Sequence, residues 1–355
     1  MKNRIIAFTL LAGSFVISCN HDDDNNGPQP SGKLVYIEND IEIPTTWYAD
    51  SIYIIEDWDF WVSDALTIQP GTIIKFTSNT HMTIDTYGTI IAQGTSEKSI
   101  IFTSFKDDAN GGDNNKDGNA TTPNRGDWFD VEVNSIGNKF QYCHFYYGGG
   151  SSYLSTLRIY SGKASVTNCI FAHNTGNKSG DFYYGALDAT GSEPETIIKN
   201  NVFFDNTLPL SVLSTIDIDN SNEFHNPEEP GIINVMNGIF IYDFSDINKV
   251  TTWGESEVPF VINDNDLWIE SPGSLTLGQN AIVKFTPGSF LVIGVGANLI
   301  YNNSNSFTSF KDDSRGGDTN GDGNATTPSN GDWGGIYSDA SFSYLGGSNI
   351  LYSSY

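Results

Sequence analysis

The chain of 355 residues is poor in basic side chains. Lys and Arg total 17 against 43 Asp and Glu, which gives a net charge of −26 at pH 7. Affinity for nucleic acid comes mainly from neutralisation of phosphates by Lys and Arg, so this balance argues against a nucleic-acid partner. It also disfavours binding to anionic lipids or acidic glycans unless a divalent cation bridges the two charges.

Signatures of several chemistries are missing as well. We find no Ser/His/Asp signature, no GxSxG motif, no Gly-rich phosphate loop and no His-rich zinc pattern. No apolar run after the first residues is long enough to span a bilayer, and there is no long amphipathic helix with caps. Hydrophobic residues still make up 38% of the chain, which is too many for a disordered acidic protein.

The first residues have the pattern of a targeting signal. Lys2 and Arg4 precede the apolar run from Ile5 to Val16, which is too short to span a bilayer comfortably. The run ends in Val16-Ile17-Ser18-Cys19, which resembles a bacterial lipobox. The resemblance implies a lipoprotein signal peptide over residues 1–18 and acyl chains on Cys19 that anchor the protein to membrane lipid. An ordinary secretory signal with an incidental cysteine is the alternative.

An acidic, Pro-containing segment follows Cys19, and we interpret residues 19–33 as a flexible tether. An acidic run directly after the lipid-modified cysteine is similar to the export signal of some Gram-negative lipoproteins. That similarity implies a position on the exterior of the cell outer membrane, whereas a simple linker is the alternative.

The remainder of the chain is rich in β-branched and aromatic residues and contains a duplication. Residues 102–128 (FTSFKDDANGGDNNKDGNATTPNRGDW) and 307–333 (FTSFKDDSRGGDTNGDGNATTPSNGDW) are identical at 21 of 27 positions. We therefore predict a first module over residues 34–249 and a second, shorter module over residues 250–355 that continues it.

A shorter period lies between the two copies. Phe145, Phe171 and Phe203 each end an apolar-x-polar-x-x-Phe pattern, at spacings of 26 and 32 residues. This pattern resembles the right-handed parallel β-helix, the pectate-lyase-like all-β fold of many bacterial surface proteins. The resemblance implies a stack of these rings about 4.8 Å apart. It also implies that Asn168 and Asn200 occupy turns where side-chain amides form a ladder. A β-sandwich or a propeller is the structural alternative.

Cys143 and Cys169 fall at matching places in this period. Stacked neighbours lie within disulfide reach, and an exported protein meets oxidising conditions. A disulfide between them is therefore possible, although side chains in a parallel ladder usually stack without bonding.

The duplicated segment predicts two structural calcium sites. Asp113, Asn115 and Asp117 place oxygens at positions 1, 3 and 5, with Gly at 6, as in the first half of an EF-hand loop. The Glu expected at position 12 is absent, so other acids must substitute. The predicted ligands are Asp107, Asp108, Asp113, Asn115, Asp117, Asn119 and Asp127, and in the second copy Asp312, Asp313, Asp318, Asn320, Asp322, Asn324 and Asp332. A solvated Asn/Asp/Gly turn is the alternative.

Long insertions after Phe145 and Phe171 provide candidate ligand-binding residues. These are Tyr146, Tyr147, Arg158, Tyr183 and Tyr184. Aromatic rings beside carboxylates and amides suit sugars, which offer apolar faces and hydroxyl groups. Alternatively, these tyrosines cover the flank of the fold and support their own loops.

Three classes of function fit the sequence. We favour a non-catalytic surface module for adhesion or glycan contact, stiffened by calcium. The second class is a polysaccharide lyase, with Arg125, Arg158, Arg315, Lys163 and Lys199 as candidate bases, or a hydrolase using Asp181 and Asp188. None of these residues lies in a recognisable catalytic motif, so we predict no catalytic residue. The third class is a subunit whose open sheet end docks a partner protein.

Overall fold

The computed structural model describes residues 32–151, 155–179, 182–242, 246–263 and 266–355. The signal peptide, Cys19 and nearly all of the tether lie outside these residues. The described residues form strands and no helix, so no helix among them could cross a bilayer.

Three sheets carry the first half of the chain. Sheet A contains β1 (Lys33–Ile37), β3 (Ser51–Ile55), β6 (Ile73–Phe76), β9 (Ile100–Ser104), β12 (Cys143–Tyr146), β15 (Ile170–Ala172) and β20 (Val202–Phe204). Sheet B contains β4 (Asp59–Val62), β7 (His81–Ile84), β10 (Val131–Val133), β13 (Leu157–Ile159), β18 (Leu187–Ala189), β21 (Leu210–Leu213), β22 (Ile239–Tyr242), β24 (Phe260–Ile262), β27 (Ile282–Phe285) and β30 (Ser306–Ser309). Sheet C contains β2 (Thr45–Trp47), β5 (Ala65–Ile68), β8 (Thr89–Gln93), β11 (Asn138–Gln141), β14 (Ala164–Thr167) and β19 (Ile197–Lys199).

Two smaller sheets belong to the second half. Sheet D contains β23 (Val250–Trp253), β26 (Ser274–Leu277) and β29 (Asn298–Ile300). Sheet E contains β25 (Asp266–Ile269), β28 (Phe290–Ile293), β31 (Gly335–Ser338) and β32 (Ser343–Tyr344). A separate hairpin is formed by β16 (Asn177–Ser179) and β17 (Phe182–Tyr184). All pairings within the five sheets are parallel except that of β31 with β32.

The chain visits the sheets in a fixed order. From β3 to β21 it passes through A, B and C in turn, interrupted by the hairpin, and from β24 to β31 it passes through B, E and D. We call one such passage a circuit. Sheet B continues through both halves, and one cluster of buried hydrophobic side chains includes residues from Ile41 to Ile336. Strands of successive circuits therefore pair within the same sheets and contribute side chains to one core.

The predicted phenylalanine stack is confirmed. Phe145 lies 4.8 Å from Phe171, and Phe171 lies 5.1 Å from Phe203, with nearly parallel rings. Phe102 and Phe224 extend the stack at its two ends. The strands are in register at these positions, so identical side chains occupy identical places in successive circuits.

The predicted turn positions are also confirmed, but the amide ladder falls one residue later. Asn168 and Asn200 have left-handed backbone, with φ of 55° and 56°. The ladder itself is formed by buried Asn201, which accepts a hydrogen bond from the Cys169 amide at 2.9 Å and donates to Asn222 at 3.1 Å. The left-handed turn directs the following side chain inward, where backbone groups need partners.

Cys143 and Cys169 are both free thiols, so the disulfide alternative is not formed in the structure. Each thiol lies near a backbone carbonyl, that of Ala92 for Cys143 and that of Thr167 for Cys169. Burial raises the pKa of Cys143, which disfavours the reactive thiolate.

Candidate functional site

The two duplicated loops start from different sheets. The first connects β9 of sheet A to β10 of sheet B, and the second connects β30 of sheet B to β31 of sheet E. A buried lysine lies under each loop. Lys75 Nζ donates to the carbonyls of Asp107 and Gly112, and Lys284 Nζ donates to the Gly317 carbonyl and to Thr319 Oγ1. Burial lowers the pKa of both lysines to about 8, although nearby carboxylates oppose the shift.

A buried tryptophan closes each loop. The Trp128 ring stacks on Phe76 at 4.2 Å, and the Trp333 ring stacks on Phe285 at 3.9 Å. The indole N–H of Trp128 donates to the Tyr146 carbonyl at 2.8 Å, and that of Trp333 donates to the Leu351 carbonyl at 2.7 Å. Both ends of each loop are therefore fixed to the core.

Between these anchors, three carboxylates converge in each copy. Asp108, Asp113 and Asp117 form the first acidic triad, and Asp313, Asp318 and Asp322 form the second. In each triad the candidate ligand oxygens lie within 4.8 Å of one another. Asp113 holds the turn because it accepts the amides of Asp117 at 3.2 Å and Gly118 at 2.9 Å.

Electrostatics in the triads favours a bound cation. Asp108 Oδ1, Asp117 Oδ1 and Asp313 Oδ1 are buried oxygens with no hydrogen-bond partner among the described residues. Burial, followed by repulsion from Asp113, raises the pKa of Asp108, and burial with repulsion from Asp318 raises that of Asp313. Buried carboxylate oxygens without a donor are costly, and a hard cation is the partner that this set of ligands suits.

The remaining predicted ligands lie elsewhere in the loops. Asp107 accepts a hydrogen bond from Thr103 Oγ1 at 2.6 Å, and Asp127 pairs with Lys106 at 2.7 Å. The second copy repeats both contacts, Asp312 with Thr308 and Asp332 with Lys311. Asn115 and Asn320 donate to the third acid of their triad at 3.0 Å, whereas Asn119 and Asn324 are exposed. The structure therefore gathers three acids per loop and uses the others to fasten the loop base.

The predicted aromatic ligand residues do not form one group. Tyr183, on the hairpin, stacks on Phe240 at 4.7 Å, and Tyr184 is half-buried beside it. Tyr146 lies with its hydroxyl 3.0 Å from His144 Nδ1, and burial raises its pKa. Only Tyr147 of this set lines a cleft beside the first loop.

The candidate catalytic side chains are engaged with carboxylates. The pairs are Arg125 with Asp205, Arg158 with Glu132, Lys163 with Glu193, Lys199 with Asp219, and Arg315 with Asp312. Asp188 is fully buried beside Arg158 and accepts a hydrogen bond from Ser211 at 2.8 Å. Asp181 lies outside the described residues.

Sequence reasoning did not bring Arg125, His173 and Asp205 together, yet the structure does. Asp205 contacts both of the others, and the three line the same cleft as Tyr147. The sequence contains a signal that could have placed three of these side chains near one another. Each of them comes two residues after a stacked phenylalanine, at Tyr147, His173 and Asp205.

Comparison with known families, with curated proteins and with solved structures found no match to this chain.

Proposed function

We propose that the protein is a lipid-anchored module on the exterior of the cell outer membrane. In this proposal it is a right-handed parallel β-helix, stiffened by two calcium ions, that contacts glycans or other surface partners without catalysis. The cyclic strand order and the phenylalanine stack support the β-helix. The lipobox-like Cys19 and the acidic tether support the location.

The two acidic triads support calcium in particular. Carboxylate and carbonyl oxygens are the ligands of hard cations, and calcium accepts irregular sets of six to eight of them. In the first loop Asp113 and Asp117 supply positions 1 and 5, and Asp108 would take the place of the missing acid at position 12. The ion would relieve repulsion among three carboxylates and tie the tip of the loop to its base.

The observation that carries this proposal is the recurrence of the triad with unpartnered oxygens. Within residues 113–119, which correspond to the first half of an EF-hand loop, the copies differ at Lys116, which is Gly321 in the second loop, and at Asn114, which is Thr319. Lys116 is exposed, and Thr319 Oγ1 accepts from Lys284, so both differences fall on side chains outside the triads. All six acids of the two triads are retained.

Thermal unfolding of the full chain in calcium and in chelator tests the proposal. We expect calcium to raise Tm by several degrees, since saturation at 100 times Kd stabilises a folded protein by about 2.7 kcal/mol per site. The paired substitutions Asp113→Asn with Asp117→Asn, and Asp318→Asn with Asp322→Asn, should each remove about half of the shift. Asp57→Asn, at an exposed acid outside the loops, is the matched control. Equal melting in calcium and chelator would contradict the proposal.

A further inference from the structure

At the corner between sheets A and B, three successive circuits place an aromatic or polar side chain on left-handed backbone. Tyr147, His173 and Asp205 occupy equivalent positions on three successive circuits, and each has left-handed backbone, with φ of 63°, 59° and 49°. This conformation costs a non-glycine residue about 1 kcal/mol or more. At the corner before β12, β15 and β20, the left-handed positions are filled by Tyr142, Asn168 and Asn200, of which asparagine tolerates this conformation best.

A buried asparagine ladder holds this corner in place. Asn174 accepts from the Gly148 amide at 3.0 Å, Asn206 from the Asn174 amide at 3.1 Å, and Asn234 from the Asn206 amide at 3.1 Å. The ladder residues directly follow the left-handed residues, and their side chains bind the buried amides of this corner. The side chains of Tyr147, His173 and Asp205 are therefore not needed for these hydrogen bonds. Strained backbone that the surroundings enforce is a feature of ligand sites.

Those three side chains meet Arg125 from the first calcium-candidate loop. His173 Nδ1 lies 2.6 Å from Asp205 Oδ2, and Arg125 Nη2 contacts Asp205 Oδ1. The Tyr147 ring lies 5.4 Å from the His173 ring and nearly parallel to it. Arg125, His173 and Asp205 are each about one third exposed, at 33%, 38% and 38%, in a cleft of about 440 Å³.

The second loop shows that the arginine is not needed to close the first. Tyr352 is the counterpart of Tyr147: it has φ of 62°, and its carbonyl accepts the Asp332 amide at 3.1 Å, as the Tyr147 carbonyl accepts the Asp127 amide at 2.9 Å. At the position of Arg125 the second loop has Asn330. The loop therefore closes in the same way with a neutral residue, and the contact of Arg125 with Asp205 is additional.

We propose that this cleft binds a neutral pyranose unit of a glycan. A sugar hydroxyl both donates and accepts, and Arg125 beside Asp205 presents donors and an acceptor side by side to neighbouring hydroxyls. The Tyr147 ring offers an apolar face to the C–H groups of the sugar. Asp205 and the net charge of −26 disfavour uronate and sulfated units. This inference rests on the proposed glycan-contacting function and gives it a site.

The test is binding of the full chain to immobilised neutral gluco-, galacto- and manno-oligosaccharides, compared with uronate-containing and sulfated oligosaccharides. We expect binding to a neutral oligosaccharide that Arg125→Asn and Asp205→Asn each weaken about tenfold or more. Both variants should fold, because asparagine stands at the matching place in the second loop and suits the left-handed backbone at 205. Glu257→Gln, which alters the similar pair of His225 and Glu257 outside the cleft, is the matched control.

The outcomes separate the two proposals. Neutral glycan binding that both variants leave unchanged would overturn the cleft and leave the glycan-contacting function intact. Binding confined to uronate or sulfated glycans would overturn the assignment of a neutral sugar. Binding to none of the probes would overturn the cleft together with the glycan role, while the calcium-dependent melting would be judged independently.

Discussion

At the residue scale, Glu255 is an unusual buried acid. It is 1% exposed, and its Oε1 accepts the amides of Ser256 and Glu257, both at 2.7 Å. Its Oε2 is buried and has no partner among the described residues. Burial raises the pKa of Glu255 to about 7, so the folded protein favours the protonated form. The stability that this preference contributes is present at low pH and is lost as the pH rises through about 7.

Replacement of this acid by a neutral isostere should therefore stabilise the protein only at higher pH. A pKa raised from 4.5 to about 7 corresponds to about 3 kcal/mol at pH 8 and less than about 1 kcal/mol at pH 5. We expect Glu255→Gln to raise the free energy of unfolding, measured with urea, by up to about 3 kcal/mol at pH 8. Glu229→Gln, at an exposed acid, should change it little at either pH. An equal effect of Glu255→Gln at both pH values would show that titration is not the cause.

The triads show which acidic residues could be predicted from spacing in the sequence and which could not. Alternating oxygens and a glycine predicted that the carboxylates of Asp113 and Asp117 converge, because alternate residues of a tight turn point to one side. Spacing could not separate Asp108 from Asp107, since only the backbone path decides which of two neighbours faces the turn. It placed Asp107 among the ligands, whereas in the structure Asp107 Oδ2 accepts hydrogen bonds from Thr103 and Asn110, and Oδ1 accepts one from the Ala109 amide.

At the scale of elements, the asparagine ladder joins successive circuits. Asn206 is fully buried, accepts from Asn174, and donates to the Phe171 carbonyl at 2.8 Å and to Asn234 at 2.9 Å. A buried group that loses its partner costs about 1–3 kcal/mol. The ladder therefore stabilises a corner whose own backbone conformations are unfavourable.

We expect Asn206→Leu to lower the free energy of unfolding by at least about 3 kcal/mol, because several buried polar groups lose partners at once. Urea unfolding measures the change, and Asn303→Leu at an exposed turn is the control. A loss below about 1 kcal/mol would mean that the ladder contributes little to stability.

The periodic elements were predictable and the corners only in part. Phe145, Phe171 and Phe203 could be aligned because buried aromatic side chains repeat once per circuit. Asn168 and Asn200 were rightly placed in left-handed turns, but the bonding amides belong to the following residue. The meeting of Arg125 and Asp205, 80 residues apart, depends on which circuits lie side by side, and local spacing does not give that.

At the scale of the whole molecule, charge repulsion opposes folding. With a net charge of −26, compaction brings many carboxylates together, and salt screens their repulsion. In chelator, we expect NaCl between about 0.05 and 0.5 M to raise Tm. Calcium at equal ionic strength should raise it further and saturate. If calcium raises Tm no more than NaCl does at equal ionic strength, charge screening alone explains the calcium effect. MgCl2 is the control for the effect of a divalent charge.

The duplicated loops could be recognised in the sequence, but the sheet from which each loop starts could not be predicted. Matching loops start from sheet A in the first half and from sheet B in the second. Identity between two segments fixes their local shape, whereas the sheet from which each starts depends on how the intervening strands distribute among the sheets.

The stacked indoles give each loop its own optical reporter. Trp128 and Trp333 are fully buried against Phe76 and Phe285, and each forms the last anchor of its loop. Loosening of either loop would admit water to one indole and shift its fluorescence to longer wavelength. The chain has seven tryptophans, so the difference between the spectrum of the protein and that of Trp128→Phe or Trp333→Phe would isolate the signal of the loop whose indole is removed.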